Sequence, residues 1–503
     1  MSKVEQLTLD FLDNKPQYIV NEFSANNFWL DIERKKLEEK YFDIIDVTST
    51  FNRQSVSYQL SKKDALHSWL KYKEGFSAYL VDSFLDEMDA QKGDLIMDPF
   101  MGSGTTALVC QMRNINSIGY DILPLSKLSI SVKSNALSYN ISELKEMLLD
   151  LVNLEVPKNY QGKTPYISIT EYAYPEQNEK FIQFVTDWNR TNKYPQGVKD
   201  LLSLCIVNSL ESISYTAKSG QYLSWDCRSK KVIQANIERA KKGQRLLPTK
   251  YVRENIADAK STILTEVGRV LLDIESIQRD SSSSNSATLN FIENSVLYEL
   301  PKLDDSILKG VITSPPYCNR YDYTRTYALE LAYLGLTDFE VKTLRQRLLS
   351  CTVESHSKLL ELSNFYELIG KKERYNTILS AITSNSALQE VLAALQKRKE
   401  NGDLNNNGVI RMVEGYFTEL AFIFGELFRI CKPGANVVFV NDNVRYGGEV
   451  IPVDTICTSL AEQFGIKAKK IYTLKQQKGN SSQQMAKFGR IPLRKSITVW
   501  VKE

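Results

Sequence analysis

The residue types able to do chemistry gather in one stretch, Gly310-Val311-Ile312-Thr313-Ser314-Pro315-Pro316-Tyr317. A β-branched, apolar run ends abruptly at a hydroxyl, two prolines and an aromatic ring. That is the pattern of a buried strand whose carboxyl end opens into a rigid, non-helical loop. Neither proline carries an N–H, so the local carbonyls stay free as acceptors. Each proline also drives the residue before it into an extended conformation. Such a loop suits the amino edge of a flat heterocycle, with its face against Tyr317. A Pro-Pro turn that merely closes a strand is the plainer alternative.

A second stretch lies far upstream. Residues 95–97 read as a short strand, followed by Asp98-Pro99-Phe100-Met101-Gly102-Ser103-Gly104-Thr105-Thr106 and an apolar helix through Met112. Strand, glycine turn and helix form the opening unit of a doubly wound sheet. Gly102 and Gly104 let the backbone approach a ligand closely. A tight turn with no ligand is the competing reading. Residues 117–121 read as the next strand, ending in Asp121, an acid at the distance that suits a ribose diol. Asp121 is also placed to cap a helix, since Pro124 and a helical run follow.

The elements that position these residues set the fold class: α/β, with a Rossmann-like doubly wound sheet and two largely helical insertions. The expected boundaries are an N-terminal arm or lid over 1–60, one half of the core over 61–134, a helical insertion over 135–286, the other half of the core over 287–336, a second helical insertion over 337–408, and the end of the core over 409–503. Apolar residues at threes and fours predict a helix over 64–88. The serines from Ser281 to Ser286 read as a flexible joint. Residues 469–474 and 496–501 read as two closing strands, joined by a Gly/Ser/Gln-rich loop.

Composition narrows the function. With 503 residues, 43% hydrophobic and 24% charged, the chain reads as globular and of more than one domain. No run is apolar enough to span a bilayer, and the first residues lack a signal-peptide core. Seven cysteines without a Cys-x-x-Cys pair fit a reducing cytoplasm rather than a disulfide framework or a zinc cage. Only two histidines, His67 and His356, are present, so histidine-based catalysis and metal sites are poor candidates.

The net charge is only +3, which restricts any nucleic-acid surface to a local patch. One segment offers such a patch. Lys218, Arg228, Lys230, Lys231, Lys241, Lys242 and Arg245 crowd one stretch, with Tyr222 and Trp225 between them. Basic and aromatic residues together suit a phosphate backbone and exposed bases. A solvated helix face is the alternative.

DPFMGSGTT and TSPPY together resemble the S-adenosylmethionine-dependent amino methyltransferases of DNA, which modify cytosine N4 or adenine N6. The resemblance covers roughly 64–130, 287–336 and 410–503. It implies that Asp98, Pro99, Phe100, Met101, Gly102, Ser103, Gly104 and Thr105 surround the methionine part of the cofactor, that Asp121 takes the ribose hydroxyls, and that Asn294 touches the adenine. Tyr72, Lys73, Phe76 and Ser77 resemble an additional cofactor motif of the family. Ser314, Pro315, Pro316 and Tyr317 are the implied catalytic loop. Motif order matches the subgroup with an inserted recognition domain, while motif wording is that of the permuted subgroup.

The residue types suggest how such a loop works. An exocyclic amine is a poor nucleophile because its lone pair is spread into the ring. Ser314 and the Pro315 carbonyl accept its hydrogens and localise that lone pair. A near-attack geometry is worth ~7–11 kcal/mol. Tyr317 stacks on a base rotated out of the duplex. Cys318 reads as packing, because methylation at cytosine C5 goes with a Pro-Cys pair and the order here is Pro-Tyr-Cys. Serine first in the loop favours cytosine N4, with adenine N6 as the alternative. The expected partners are double-stranded DNA and a cognate restriction or defence protein, with no membrane. Three other readings remain: an RNA or protein amine as acceptor, a DNA-binding subunit with a dead core, and a dinucleotide oxidoreductase.

Overall fold

The computed structural model describes residues 20, 22–73, 75–220, 222–280, 286–474 and 486–503. Most of the serine joint, the body of the glutamine-rich loop and residues 1–19 of the expected arm lie outside them. The described residues form two compact units, one within 1–53, 297–319 and 349–503, the other within 54–296 and 320–348.

In the first unit five strands run in the order Ile45–Val47, Ile466–Thr473, Lys495–Lys502, Cys431–Asp442 and Leu308–Thr313. The closing hairpin is antiparallel, as is its pairing with Cys431–Asp442, and the two outer pairings are parallel. Most β-branched residues of the inner strands are buried, and helices Val409–Ile430 and Val453–Glu462 pack on the sheet. Phe424 meets Phe439 and Trp500 edge-on at 5.4 and 5.1 Å between ring centroids. Such pairs add roughly 0.5–1.5 kcal/mol each beyond their buried area. The Trp500 indole N–H is satisfied by Thr458 at 3.1 Å.

Within the expected N-terminal arm or lid, residues 32–47 supply helix Ile32–Lys40 and the edge strand Ile45–Val47. Arg494 holds the helix in place. Its buried guanidinium bridges Glu38 on that helix and Asp454. These partners are far apart in sequence, |i−j| being 456 for the Glu38 pair, so no local pattern announces them.

The second unit holds three parallel strands, Leu95–Asp98, Asn116–Asp121 and Leu289–Glu293, with the second in the middle. Helices Ala78–Glu87, Thr105–Met112 and Pro124–Ser134 accompany them. A helical layer follows, made of Ile141–Asn153, Glu176–Thr191, Gln196–Ser209 and Ala259–Asp280. The α/β, Rossmann-like class expected from the sequence is the one adopted.

The single helix expected over 64–88 is not. Only Ala78–Glu87 is α-helical, after a short 3-10 turn at His67–Trp69. Leu66 has φ +65 and Leu70 is extended, so the chain leaves the helical region twice. Leu66, Trp69, Leu70 and Phe76 are buried all the same. Their periodicity came from burial of an irregular segment. The basic segment, read from sequence as helical, also contains a hairpin of Thr216–Ser219 and Tyr222–Trp225. Among the described residues no single helix is long and apolar enough to cross a membrane.

Candidate active site

Asp98 and Asp121 end two adjacent parallel strands, and Asn294 directly follows a third, Leu289–Glu293. The side chains shape the turn between them. Asp98 accepts the Phe100 N–H at 3.0 Å. Asp121 accepts the Gly102 N–H at 2.8 Å with one oxygen and the Leu123 N–H at 2.9 Å with the other. It does not cap the following helix, because Pro124–Ser134 starts from Leu123 with no side-chain cap. Met101 N–H donates to the Tyr120 carbonyl at 2.8 Å.

Gly102 and Gly104 have φ of +52 and +89. A Cβ at Gly102 would stand 2.9 Å from the Tyr72 ring, and one at Gly104 2.8 Å from Ile130. The turn therefore needs glycine both for its backbone and for its close packing. Thr105 opens helix Thr105–Met112, and Pro99, Met101 and Ser103 complete the loop. Phe76 and Ser77 are buried. The Ser77 hydroxyl is engaged within the protein, accepting from Leu80 N–H at 3.4 Å and donating to the Ser55 carbonyl at 2.9 Å. Asn294 Oδ1 accepts from Arg347 at 2.8 Å and from Ser295 N–H at 2.9 Å.

Two groups at the turn are shifted in charge state. Desolvation pushes the Asp121 carboxyl up to about 6, although backbone N–H groups pull it down. Lys133, which sequence reasoning did not single out, is fully buried and donates to the Ser103 carbonyl at 3.1 Å, beside Ser129 at 3.3 Å. Burial lowers its ammonium to about 7.

The Ser314–Tyr317 loop lies in the first unit and follows strand Leu308–Thr313. Pro315 and Pro316 are buried, and Ser314 and Tyr317 are half-buried. Ser314 Oγ donates to the Tyr317 hydroxyl at 3.1 Å. Lys495 Nζ donates to the same oxygen at 3.1 Å and stands 4.6 Å from the centre of the Tyr317 ring. Asp442 pairs with Lys495 at 3.0 Å. Sequence reasoning missed both. Lys495 is 178 residues from Tyr317, and its one local signal is a charge at the head of a mostly buried strand. Cys318 is fully buried, its carbonyl accepts from Tyr446 at 2.8 Å, and burial holds its thiol well above the usual range. That is the chemistry of a packing residue rather than a thiolate nucleophile.

The basic segment divides into engaged and exposed side chains. Lys218 is buried, ion-paired with Glu330 and 4.3 Å from the centre of the Tyr327 ring. Tyr327 in turn stacks on Tyr72 at 5.2 Å and 8°. Arg228 pairs with Asp226 at 2.8 Å and lies over Tyr251. Lys231 donates to the Ser168 and Ile169 carbonyls and stands over Trp225 at 4.8 Å. Lys230, Lys241, Lys242 and Arg245 are exposed, on and just after helix Lys230–Lys241, with Lys241 paired to Glu238. Tyr222 opens the second strand of the hairpin.

Comparison with known proteins adds an independent line. A family model described as DNA methylase matches residues 17–126, which include the glycine turn and Asp121. The Type II methyltransferase M.BsoBI of Geobacillus stearothermophilus is 49% identical over 489 residues, 97% of this chain and 96% of that protein. The Type II methyltransferase M.AvaI of a Nostoc species is 36% identical over 500 residues, 98% of this chain and 96% of that one. A shorter match, 36% identical over 152 residues, links 30% of the chain to the Type II methyltransferase M.MjaII of Methanocaldococcus jannaschii. No solved structure matches.

Proposed function

The chain belongs to the amino DNA methyltransferases, and from that premise we propose that it transfers a methyl group from S-adenosylmethionine to the exocyclic amine of one base in a DNA site, cytosine N4 being favoured over adenine N6. The observation that carries the proposal is the polarity of the Ser314–Tyr317 loop. The Ser314 proton is committed to the Tyr317 oxygen, which leaves the Ser314 lone pairs and the Pro315 carbonyl as acceptors. An acceptor set of this kind takes an amine's hydrogens and localises its lone pair. With the Cys318 thiol protonated, no covalent route through sulfur competes.

The cofactor's residues fit on chemical grounds. Gly102 and Gly104 hold the turn at positive φ and packed against Tyr72 and Ile130, a tight backbone shape that suits a ligand lying along the loop. Asp98 through Thr105 would hold the methionine part, Asp121 the ribose hydroxyls and Asn294 the adenine, with Phe76 and Ser77 behind. Bound there, S-adenosylmethionine supplies an electrophilic sulfonium methyl. Tyr317 provides the stacking face for a base taken out of the duplex. The transfer turns on positioning rather than on a general base, in line with the scarcity of histidine.

For DNA we assign the exposed Lys230, Lys241, Lys242 and Arg245 to phosphates, with Trp225, Arg228 and Lys231 as the supporting layer. Lys218 drops out of the contact surface, since its charge is spent on Glu330. The 135–286 insertion would then carry target recognition, with 337–408 as a further helical insertion. A cognate restriction enzyme would be a separate protein.

The test is methylation-sensitive sequencing of DNA from a methylation-free host that expresses the chain, with Tyr317→Ala as control. N4-methylcytosine at one short motif, absent in the control, is the expected result. N6-methyladenine at such a motif would move the assignment to the other base. No modification in either strain would remove duplex DNA as the substrate of the chain acting alone.

A further inference from the structure

We propose that helix Lys230–Lys241 reads base edges in the major groove of the DNA, with Ile233, Gln234 and Ile237 as specificity-determining side chains. The inference deepens the reading given above and rests on it.

An α-helix returns to the same face every three or four residues. The inner face of this one is anchored. Lys231 donates to the Ser168 and Ile169 carbonyls at 2.8 and 2.9 Å. Val232 is buried. Asn236 Oδ1 accepts the Leu247 N–H at 2.7 Å, and Arg239 Nε donates to the Arg245 carbonyl at 2.7 Å. Ser229 caps the first turn, its side chain accepting the Val232 N–H at 3.2 Å. The helix is therefore held at its start and along one side, and the other side faces out.

That outer face runs Lys230, Ile233, Gln234, Ile237, Lys241, and each of these residues is exposed. Ile233 and Ile237 stand one turn apart with 47% and 51% of their surface in solvent. A single exposed apolar residue needs no explanation. Here a pair of them lies beside an uncharged amide, with a lysine at either end. Glu238, the only acid in the helix, sits at the edge of this face and pairs with Lys241 at 2.9 Å. Lys230, Lys231, Arg239 and Lys241 outweigh it, which favours a polyanion over a protein as the occupant.

The order of groups suits a major groove. The helix has 12 residues, so its end residues are roughly 16 Å apart at the usual rise. A groove about 12 Å wide admits an α-helix. The end lysines then meet phosphates, and the uncharged side chains between them meet bases. The Gln234 amide can donate to the N7 that both purines present and accept from the N6 amine where the purine is adenine. Isoleucine has neither donor nor acceptor, so it discriminates at the pyrimidine C5 position, where thymine carries a methyl group. An enzyme that takes one base out of the duplex needs such a reader. The neighbouring pairs stay stacked, and the minor groove distinguishes them poorly.

The experiment uses Gln234→Ala and the double variant Ile233→Ala/Ile237→Ala of the full chain. Methylation-sensitive sequencing gives the motif of each. Steady-state kcat/KM is compared between the preferred duplex and duplexes with one base pair replaced. Each variant is expected to widen the motif at one or more positions, with discrimination there falling by about tenfold. The slope of log affinity against log salt should stay as it is, because no phosphate contact is lost. An unaltered motif with discrimination within about twofold in both variants overturns the inference. A loss of kcat/KM that is equal on every duplex also overturns it. An isoleucine variant that keeps its motif but loses self-association in sedimentation would give this face to a second copy of the chain instead. The replaced side chains are exposed and alanine favours a helix; should the double variant still fail to fold, Gln234→Ala carries the test. Absence of transfer by the unaltered chain would strike the proposed function instead, so the two failures are distinguishable.

Discussion

Desolvation in the glycine turn lifts the Asp121 carboxyl to about 6, against the pull of the Leu123 and Gly102 N–H groups. The anion is the form that accepts hydroxyl hydrogens, so cofactor affinity is expected to fall as pH drops below about 6. The limiting slope is about tenfold per pH unit. Calorimetric titration with S-adenosylmethionine from pH 5 to 8 measures it, and Asp121→Asn should bind weakly with no such slope. A flat profile for the unaltered chain would remove Asp121 from the ribose. The residue types at this site were readable in the sequence, because an acid after a glycine turn and a serine before two prolines carry their chemistry locally. The partners of those residues were not. Lys495 reaches Tyr317 from a different strand, and Lys133 reaches Ser103 from the helix after the next strand.

Among the elements, helix Lys230–Lys241 and the segment after it bear the charges available to DNA. Lys241 keeps an exposed pair with Glu238, which is weak enough to exchange for a phosphate. Replacing Lys230, Lys241, Lys242 and Arg245 by alanine is expected to weaken binding alike for all sequences. It should also flatten the plot of log affinity against log salt by about 0.9 for each phosphate that is no longer neutralised. Fluorescence anisotropy across a salt series checks this. An unchanged slope would show that these side chains form a solvated helix face, the alternative that composition also allows. At the same scale, burial separated Lys218 from its neighbours. Composition groups all the lysines of this stretch, whereas one of them turns inward to Glu330 and Tyr327.

Across the molecule, two buried bases tie stability to pH. His67 is lowered to about 3 by burial and Lys133 to about 7, both in the same unit. For each, the folded state holds fewer protons than the unfolded chain between the depressed value and the ordinary one, so stability rises with pH across that window. His67 then weakens the fold as pH falls below about 6.5. Lys133 costs stability fully below pH about 7, and the cost fades as pH rises toward about 10.4. Lys133→Met should therefore melt higher than the unaltered chain at pH 7, with the gap closing by pH 10. The Ser103 carbonyl keeps its bond from Ser129. A lower melting temperature for the variant at pH 7 would mean that the Lys133 bond outweighs its burial cost.

By itself the sequence determined the α/β class, the glycine turn, the acids after its strands and the Ser-Pro-Pro-Tyr loop. These rest on short-range constraints: φ above zero at glycine, missing N–H groups at proline, and apolar runs that must be buried. Tertiary structure decided the rest. It broke the expected helix over 64–88 into an irregular, buried segment, since burial produces the same spacing of apolar residues as a helix does. It joined Ile45–Val47 to a sheet edge as the partner of Ile466–Thr473. It also placed Lys495 opposite Asp442 and against Tyr317, because strand register depends on which distant segments pair, and no local spacing encodes that.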